Sequence, residues 1–280
     1  MQPSKKLRAA DVSIPVLTGG HDHQARSPLP HVPLATGAKR GHLPWPDVAP
    51  SEEPLGNSAM FVGDTLEAWL KPQSSLHSGL LAKRPFLGQF DECQARIDAS
   101  LGWFGEYGEL TTTVLHNGQE DVPTKLHEPL EALLAQAALP MSLSDQIRSD
   151  ATSMSIVVAS LCPSSRQLAI KLEILGSNSC GRWHRDRYVG RGIVSYTGEI
   201  ATEYTDDANV DFWELENCGN NACIIRDVRQ IKSVDVGDFL FMKGTKWPTG
   251  AAGIVHKSPE WRYHPDGRIL NRLCLKIDIY

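Results

Sequence analysis

The sequence predicts an α+β chain, mainly β, in which a C-terminal antiparallel sandwich or barrel carries an N-terminal helical layer. Three observations lead there. Six short β-like runs crowd residues 155–280 with no helical pattern alternating between them, which disfavours a parallel sheet. One apolar stripe of helical spacing, Leu126, Leu130, Leu133, Leu134 and Ala137, stops just before Pro140. Hydrophobic residues make up 41% of the 280, enough for a sizeable core.

In chain order, residues 1–57 read as an extended Pro/Gly-rich arm. Nine of the eighteen prolines fall within the first 54 residues, and no period can be traced there. Ile14, Val16, Leu17, Leu29, Val32 and Leu34 leave open whether the arm is solvated or wraps the domain. His21-Asp22-His23 reads as a solvated Gly-flanked turn rather than a ligand cluster. Residues 58–154 read as a helical layer that serves as a lid, and residues 155–280 as the β domain. Within that domain Leu168, Ile170, Leu172 and Ile174 alternate with Ala, Lys and Glu, a strand signature. Further strands are expected at Gly192–Thr197, Ala222–Val228, Asp238–Met242, Gly253–His256 and Leu270–Ile279. No internal repeat is visible.

Twenty-eight Lys and Arg against 33 Asp and Glu give a net charge of −5. Without an overall basic field, nucleic acid is not an expected partner. The first twenty residues are basic but hold no apolar run of the length that a secretory signal or a bilayer span needs. The expectation is a cytoplasmic protein with a small-molecule substrate and no membrane partner, its oligomeric state left open. Six cysteines are too sparse for a disulfide framework and read as reduced thiols. Cys218 and Cys223 form the one close pair, and a zinc knuckle there would need a second ligand pair that the sequence does not offer.

The chemistry concentrates in Cys180-Gly181-Arg182-Trp183-His184-Arg185-Asp186-Arg187. Strand alternation aims His184 and Asp186 to one face. His256 closes Gly253-Ile254-Val255-His256, and a barrel can bring that strand alongside. Two imidazoles and one carboxylate on one face of a metal suit non-heme Fe(II) and leave the opposite positions open. The competing reading is an ion-paired strand end, with Asp186 held by Arg182, Arg185 or Arg187. Arg272, on a strand that alternates a polar face with a Leu/Leu/Ile face, is the inward guanidinium that could take a cosubstrate carboxylate. Arg268 is its reserve. Arg182 shares parity with His184 and could reach an anionic substrate group, whereas Arg185 and Arg187 should face away. Among Trp183, Tyr196, Tyr204, Trp213 and Trp247, Tyr204 is the pocket candidate. Gly237-Asp238 reads as a scaffold turn, and His264 as exposed in a turn.

The order His184-x-Asp186, distal His256 and then Arg272 resembles the Fe(II)/2-oxoglutarate-dependent oxygenase superfamily. Trp183-His184-Arg185-Asp186, Ser195-Tyr196-Thr197-Gly198, Ala201-Thr202-Glu203-Tyr204, Gly237-Asp238, Lys243-Gly244 and Gly253-Ile254-Val255-His256-Lys257-Ser258-Pro259 with Arg272-Leu273 more narrowly resemble a family known only as a domain of unknown function. The resemblance implies a cupin-like double-stranded β-helix, or jelly roll. It also implies Fe(II) held by His184, Asp186 and His256 as the catalytic centre, Arg272 on 2-oxoglutarate, and dioxygen as second cosubstrate. Hydroxylation, desaturation or oxidative cyclisation of a small polar metabolite such as an amino acid would follow. Asp186 as a carboxylate ligand argues against halogenation. Cys274 stands where many superfamily members carry Ser two residues after the Arg. The alternatives are a 2-oxoglutarate-independent cupin-like metalloenzyme, a non-enzymatic zinc-binding module and a metal-free interaction domain.

Overall fold

A computed structural model describes residues 58–85, 90, 93–99, 104 and 108–280. The expected arm and its His21-Asp22-His23 lie outside the described residues. Ten strands are present among those described: β1 (Met60–Gly63), β2 (Gly79–Ala82), β3 (Glu109–Leu115), β4 (Gln167–Leu175), β5 (Gly190–Ser195), β6 (Ile200–Thr205), β7 (Lys232–Asp235), β8 (Phe239–Lys243), β9 (Val255–Lys257) and β10 (Arg272–Ile279). The helices are α1 (Gln94–Ala99), α2 (Val122–Ala137), α3 (Met141–Leu161), α4 (Phe212–Asn217) and α5 (Asn221–Ile224). No helix among the described residues is long and apolar enough to cross a membrane.

The strands form a large sheet in the order β1-β2-β8-β5-β10-β4-β3 and a small one in the order β7-β6-β9. An antiparallel bridge from His184 to His256 adds a fourth line to the small sheet beside β9. Numbered from β4 onward with the His184 segment as second, the eight core lines run 1-8-3-6 in one sheet and 5-4-7-2 in the other. That interleaving is the winding of a double-stranded β-helix, so the fold is α+β, mainly β, with a jelly-roll core. β3 extends one edge of the large sheet, and β2 with its parallel neighbour β1 extends the other.

Alternation decides what faces where. Leu168, Ile170, Leu172 and Ile174 of β4 and Leu273, Leu275, Ile277 and Ile279 of β10 turn outward under α2 and α3, in one core with Leu126, Leu130, Leu133, Ile147 and Met154. Full burial of each such side chain contributes about 1.5–3 kcal/mol. Their opposite-parity neighbours turn into the barrel, which is apolar around Leu81, Ile193, Leu240 and Cys274. Towards the His184 end it is charged, with Glu173, Arg191 and Lys276.

Several expectations need correction. Residues 58–154 supply α2 and most of α3, but also β1, β2 and β3. Thr111-Thr112-Thr113-Val114 is β-branched throughout and completes the sheet edge, while Gly79–Ala82 is too short to show any period. α3 continues past the expected boundary to Leu161. The two long helices lie on the outer face of the large sheet and buttress it. Ala222–Val228 is not a strand: Asn220 caps α5 by accepting from the Ala222 N–H, and Asp227 accepts from the Arg229 N–H. These Asx contacts outcompete a ladder in which only Ile225 bridges, to Val210. His264 is half-buried, with Nε2 2.8 Å from an Asp98 carboxylate oxygen.

Candidate metal centre

His184 and His256 are direct cross-strand partners. Each donates its backbone N–H to the other's carbonyl at 3.0 Å, the closed pair of an antiparallel ladder, so both side chains leave the same face. Their ring centroids are 4.5 Å apart. Asp186, two residues on, is brought to that face by the turn that follows, where its carbonyl accepts from the Thr245 N–H. Its Oδ1 lies 3.6 Å from His184 Nε2 and its Oδ2 3.8 Å from His256 Nε2. One ligand atom from each of the three residues falls within 4.8 Å of the others.

The ring orientations decide what this cluster can do. His184 Nδ1 sits 2.7 Å from the Arg182 carbonyl and His256 Nδ1 3.1 Å from the Ile254 carbonyl. A carbonyl only accepts, so each Nδ1 carries the proton and each Nε2 of the neutral ring presents its lone pair towards Asp186. Burial pushes the fully enclosed His256 down to about 4, keeping that ring neutral. Burial also lowers His184, but its contact with Asp186 and its bond to the Arg182 carbonyl outweigh this and leave it raised. For Asp186, burial works against ionisation and is overcome by His184, His256 and Arg191, which hold the carboxyl below its ordinary range. Two lone-pair nitrogens and one carboxylate fit a divalent ion of the Fe(II) or Zn²⁺ type.

Arg191 on β5 supports this arrangement. Its Nη1 lies 3.3 Å from Asp186 Oδ2, while Nε and Nη2 grip the fully buried Asp278 at 2.6 and 3.1 Å. A ligand carboxylate held by such a partner is fixed in orientation. Gly244 enables the turn beneath it. A Cβ there would meet the Tyr188 carbonyl oxygen at 2.0 Å, and the neighbouring Thr245 N–H donates to the Asp186 carbonyl.

Two openings meet His184. A cavity of about 180 Å³ reaches His256 and is lined by Arg191, Thr202, Lys257 and Lys276 among others. A wider cleft of about 710 Å³ is lined by Arg182, Arg185, Arg187, Leu215 and Thr245. Arg182 is therefore beside the cluster, but so are Arg185 and Arg187, contrary to the parity argument. Only His184 makes a ladder contact in this segment, and alternation does not extend beyond it. Arg185 reaches Asp207 at 3.1 Å and lies over the Phe212 ring.

Arg272 is inward and buried as expected, yet its guanidinium is taken up by the Ile200 and Ala201 carbonyls. It lines a neighbouring pocket with Gly198, Trp261 and Arg262, which meets the triad cavity at Leu175 and Ser179. Gly198, at φ +96°, leaves room for it, since a Cβ there would sit 2.6 Å from Arg272 Cγ. Arg268 pairs with Asp266 on the surface. Tyr204 is not a cavity residue. It lies directly opposite His256 in the ladder and leaves the same face, but its ring packs in the barrel core with Met60, Leu240 and Ile254.

Arg191, Lys276 and Asp278 escaped the sequence reading. The alternating polar face of β10 was the available signal, and Arg272 drew attention away from Lys276 and Asp278 further along that face.

No curated protein matches the chain. Among solved structures, the 2-oxoglutarate complex of the dioxygenase for auxin oxidation 1 from Arabidopsis thaliana is 7% identical with a TM-score of 0.44, covering 79% of this chain and 91% of that one. The dioxygenase for auxin oxidation in rice is 13% identical with a TM-score of 0.38, covering 76% of each. The Fe(II)/α-ketoglutarate-dependent dioxygenase TqaL is 10% identical with a TM-score of 0.37, covering 76% of this chain and 87% of that one. Similarities this distant carry no weight for the reaction, and the jelly-roll assignment rests on strand order. A family model described as protein of unknown function (DUF1826) matches residues 107–278, well over half of the chain, which therefore belongs to that family.

Proposed function

We propose that the chain is a non-heme Fe(II)/2-oxoglutarate-dependent oxygenase acting on a small polar metabolite, an amino acid being the leading class. The observation that carries this reading is the convergence of two Nε2 lone pairs and the Asp186 carboxylate at the mouth of a charged cavity. His184, Asp186 and His256 would hold the ion. Bound Fe(II) supplies dioxygen activation and the coordination positions that three protein ligands leave free.

The residues around it have separate tasks. The Arg182 and Ile254 carbonyls fix the ring tautomers, and Arg191, held by Asp278, fixes the carboxylate. Lys276 lies on the same inward face of β10 as Arg272 and lines the triad cavity, paired with Glu173. That makes Lys276 the favoured cation for the distal carboxylate of 2-oxoglutarate, with Arg272 behind it. The wide cleft on the other side of His184 carries Arg182, Arg185 and Arg187 and suits an anionic group on the substrate.

Anaerobic titration of the apoprotein with Fe(II) and then 2-oxoglutarate tests this through the visible charge-transfer band of a chelated 2-oxoacid. The band should appear in the wild type, vanish in His256→Ala and need at least tenfold more 2-oxoglutarate in Lys276→Met. A larger loss in Arg272→Ala than in Lys276→Met would return the role to Arg272. Stoichiometric iron without a band would favour a cosubstrate-independent metalloenzyme. Tight zinc with no iron binding would favour a non-catalytic module.

A further inference from the structure

The two close thiols gain a third donor in the fold. Glu214 on α4 and Cys218, the residue that caps its C-terminal end, stand four residues apart, about one helical turn, and so lie on one side. Cys223, in α5, is brought back beside them by the turn through Gly219 and Asn220, whose side chain caps α5. One ligand atom each from Glu214, Cys218 and Cys223 falls within 4.8 Å of the others. A tetrahedral zinc with bonds of about 2.3 Å to sulfur and about 2.0–2.2 Å to a carboxylate oxygen needs donor separations of roughly 3.5–3.8 Å, within side-chain adjustment of this cluster. Cys218 and Cys223 are exposed, so water is at hand for a fourth position.

The loop that these donors enclose does structural work for the triad. Asn221 lies between the two thiols in sequence. Its Oδ1 accepts from the Trp183 N–H at 3.0 Å and its Nδ2 donates to the Gly181 carbonyl at 2.8 Å, bracing the segment that carries His184. Gly219 packs against the Arg182 guanidinium, and Leu215 and Glu216 form a wall of the wide cleft. α4 nevertheless buries none of its six residues fully, and a helix that short is marginal without other support.

We propose that Glu214, Cys218 and Cys223 form a zinc site, distinct from the His-Asp-His cluster, that ties α4 to α5 and so secures the Asn221 brace behind His184. Binding displaces the two thiol protons to solvent and forms two Zn–S bonds and one Zn–O bond, with no redox step. A disulfide uses only the two sulfurs and leaves Glu214 without a role, which is why the metal is preferred.

Cadmium, whose thiolate charge-transfer absorption reports sulfur ligation directly, is the probe, titrated into the full reduced chain. One equivalent should produce the band in the wild type and equally in His256→Ala, where the other cluster is disabled. Cys218→Ser and Cys223→Ser should each abolish it, and Glu214→Gln should weaken cadmium binding at least tenfold. Zinc in excess should compete with the cadmium and bleach the band, the excess being needed because thiolates favour the softer ion. Circular dichroism of each variant checks that its fold is kept. The proposal is overturned if no band forms, if the band survives in Cys218→Ser and so belongs to another thiol such as Cys180, or if excess zinc fails to displace it.

Discussion

At the scale of single residues, His256 links burial to acidity. Its pKa in the folded chain falls from the ordinary 6.5 to about 4 because the buried ring resists charging. The unfolded chain then binds the proton more readily, so the contribution is fully present above about pH 6.5 and lost progressively as pH falls to about 4. His184 has the opposite sign, since its raised pKa adds stability as pH falls through the range above 6.5. The unfolding free energy of the metal-free chain, from urea denaturation, should therefore pass a maximum near pH 6.5 and drop by roughly 3 kcal/mol towards pH 4. His256→Gln should flatten the acid limb, and an unchanged limb would show that other groups govern it. Arg191 offers a sharper test. Its guanidinium is the bidentate partner of Asp278, whose side chain has no solvent exposure. Arg191→Met leaves that buried carboxylate with only the more distant Lys171 ammonium, 3.7 Å away, against a cost of about 3–5 kcal/mol for a buried carboxylate with no partner. A loss below about 1 kcal/mol in chemical denaturation would mean that Lys171 or water takes over at Asp278.

At the scale of elements, α2 ends on an avoidable strain. Its C-cap, Ala138, sits in the left-handed region at φ 49°, with its N–H donating to the Leu134 carbonyl. An L residue with a Cβ is disfavoured there by roughly 1–2 kcal/mol, and glycine is not. Ala138→Gly should raise stability by about 1 kcal/mol after glycine's larger unfolded-state entropy is subtracted, read as a higher urea midpoint at constant slope. No gain would mean that the Ala138 side chain makes compensating contacts. The same helix shows what could be read in advance. Five apolar residues on one face specify α2 despite Pro129 inside it, and four alternating apolar residues specify β4, because each period repeats often enough to be unmistakable. β1, β2 and β7 span four residues each, shorter than either period needs, and they form because the neighbouring strand offers unpaired backbone groups. His184 and Asp186 were legible as a same-face pair two residues apart. Arg191 and Lys276 were not, since a charged strand residue ordinarily faces water and only closure of the barrel turns these inward.

At the scale of the whole molecule, the two sheets are tied at their charged end by one chain of contacts: Lys171 to Asp278, Asp278 to Arg191, and Arg191 to Asp186. The three triad residues belong to the small-sheet side, and Arg191 and Asp278 to the large sheet. On the proposed reading, an ion at the triad would fix Asp186 and, through Arg191, secure the junction between sheets. Binding only the folded chain, it would stabilise by mass action, by about 2.7 kcal/mol at a hundredfold excess over Kd. For a domain of this size that corresponds to a rise in Tm of about 5 to 10 °C. Mn²⁺ is the suitable ion because it prefers nitrogen and oxygen donors and leaves the thiols of Cys218 and Cys223 aside. The rise should persist in Cys218→Ser and disappear in Asp186→Ala, which keeps both imidazoles but removes the carboxylate that neutralises the ion and contacts the large sheet. An equal rise in Asp186→Ala would place the ion elsewhere and remove the triad from the metal reading. A rise confined to wild type and Cys218→Ser would join the metal centre to the stability of the entire jelly roll.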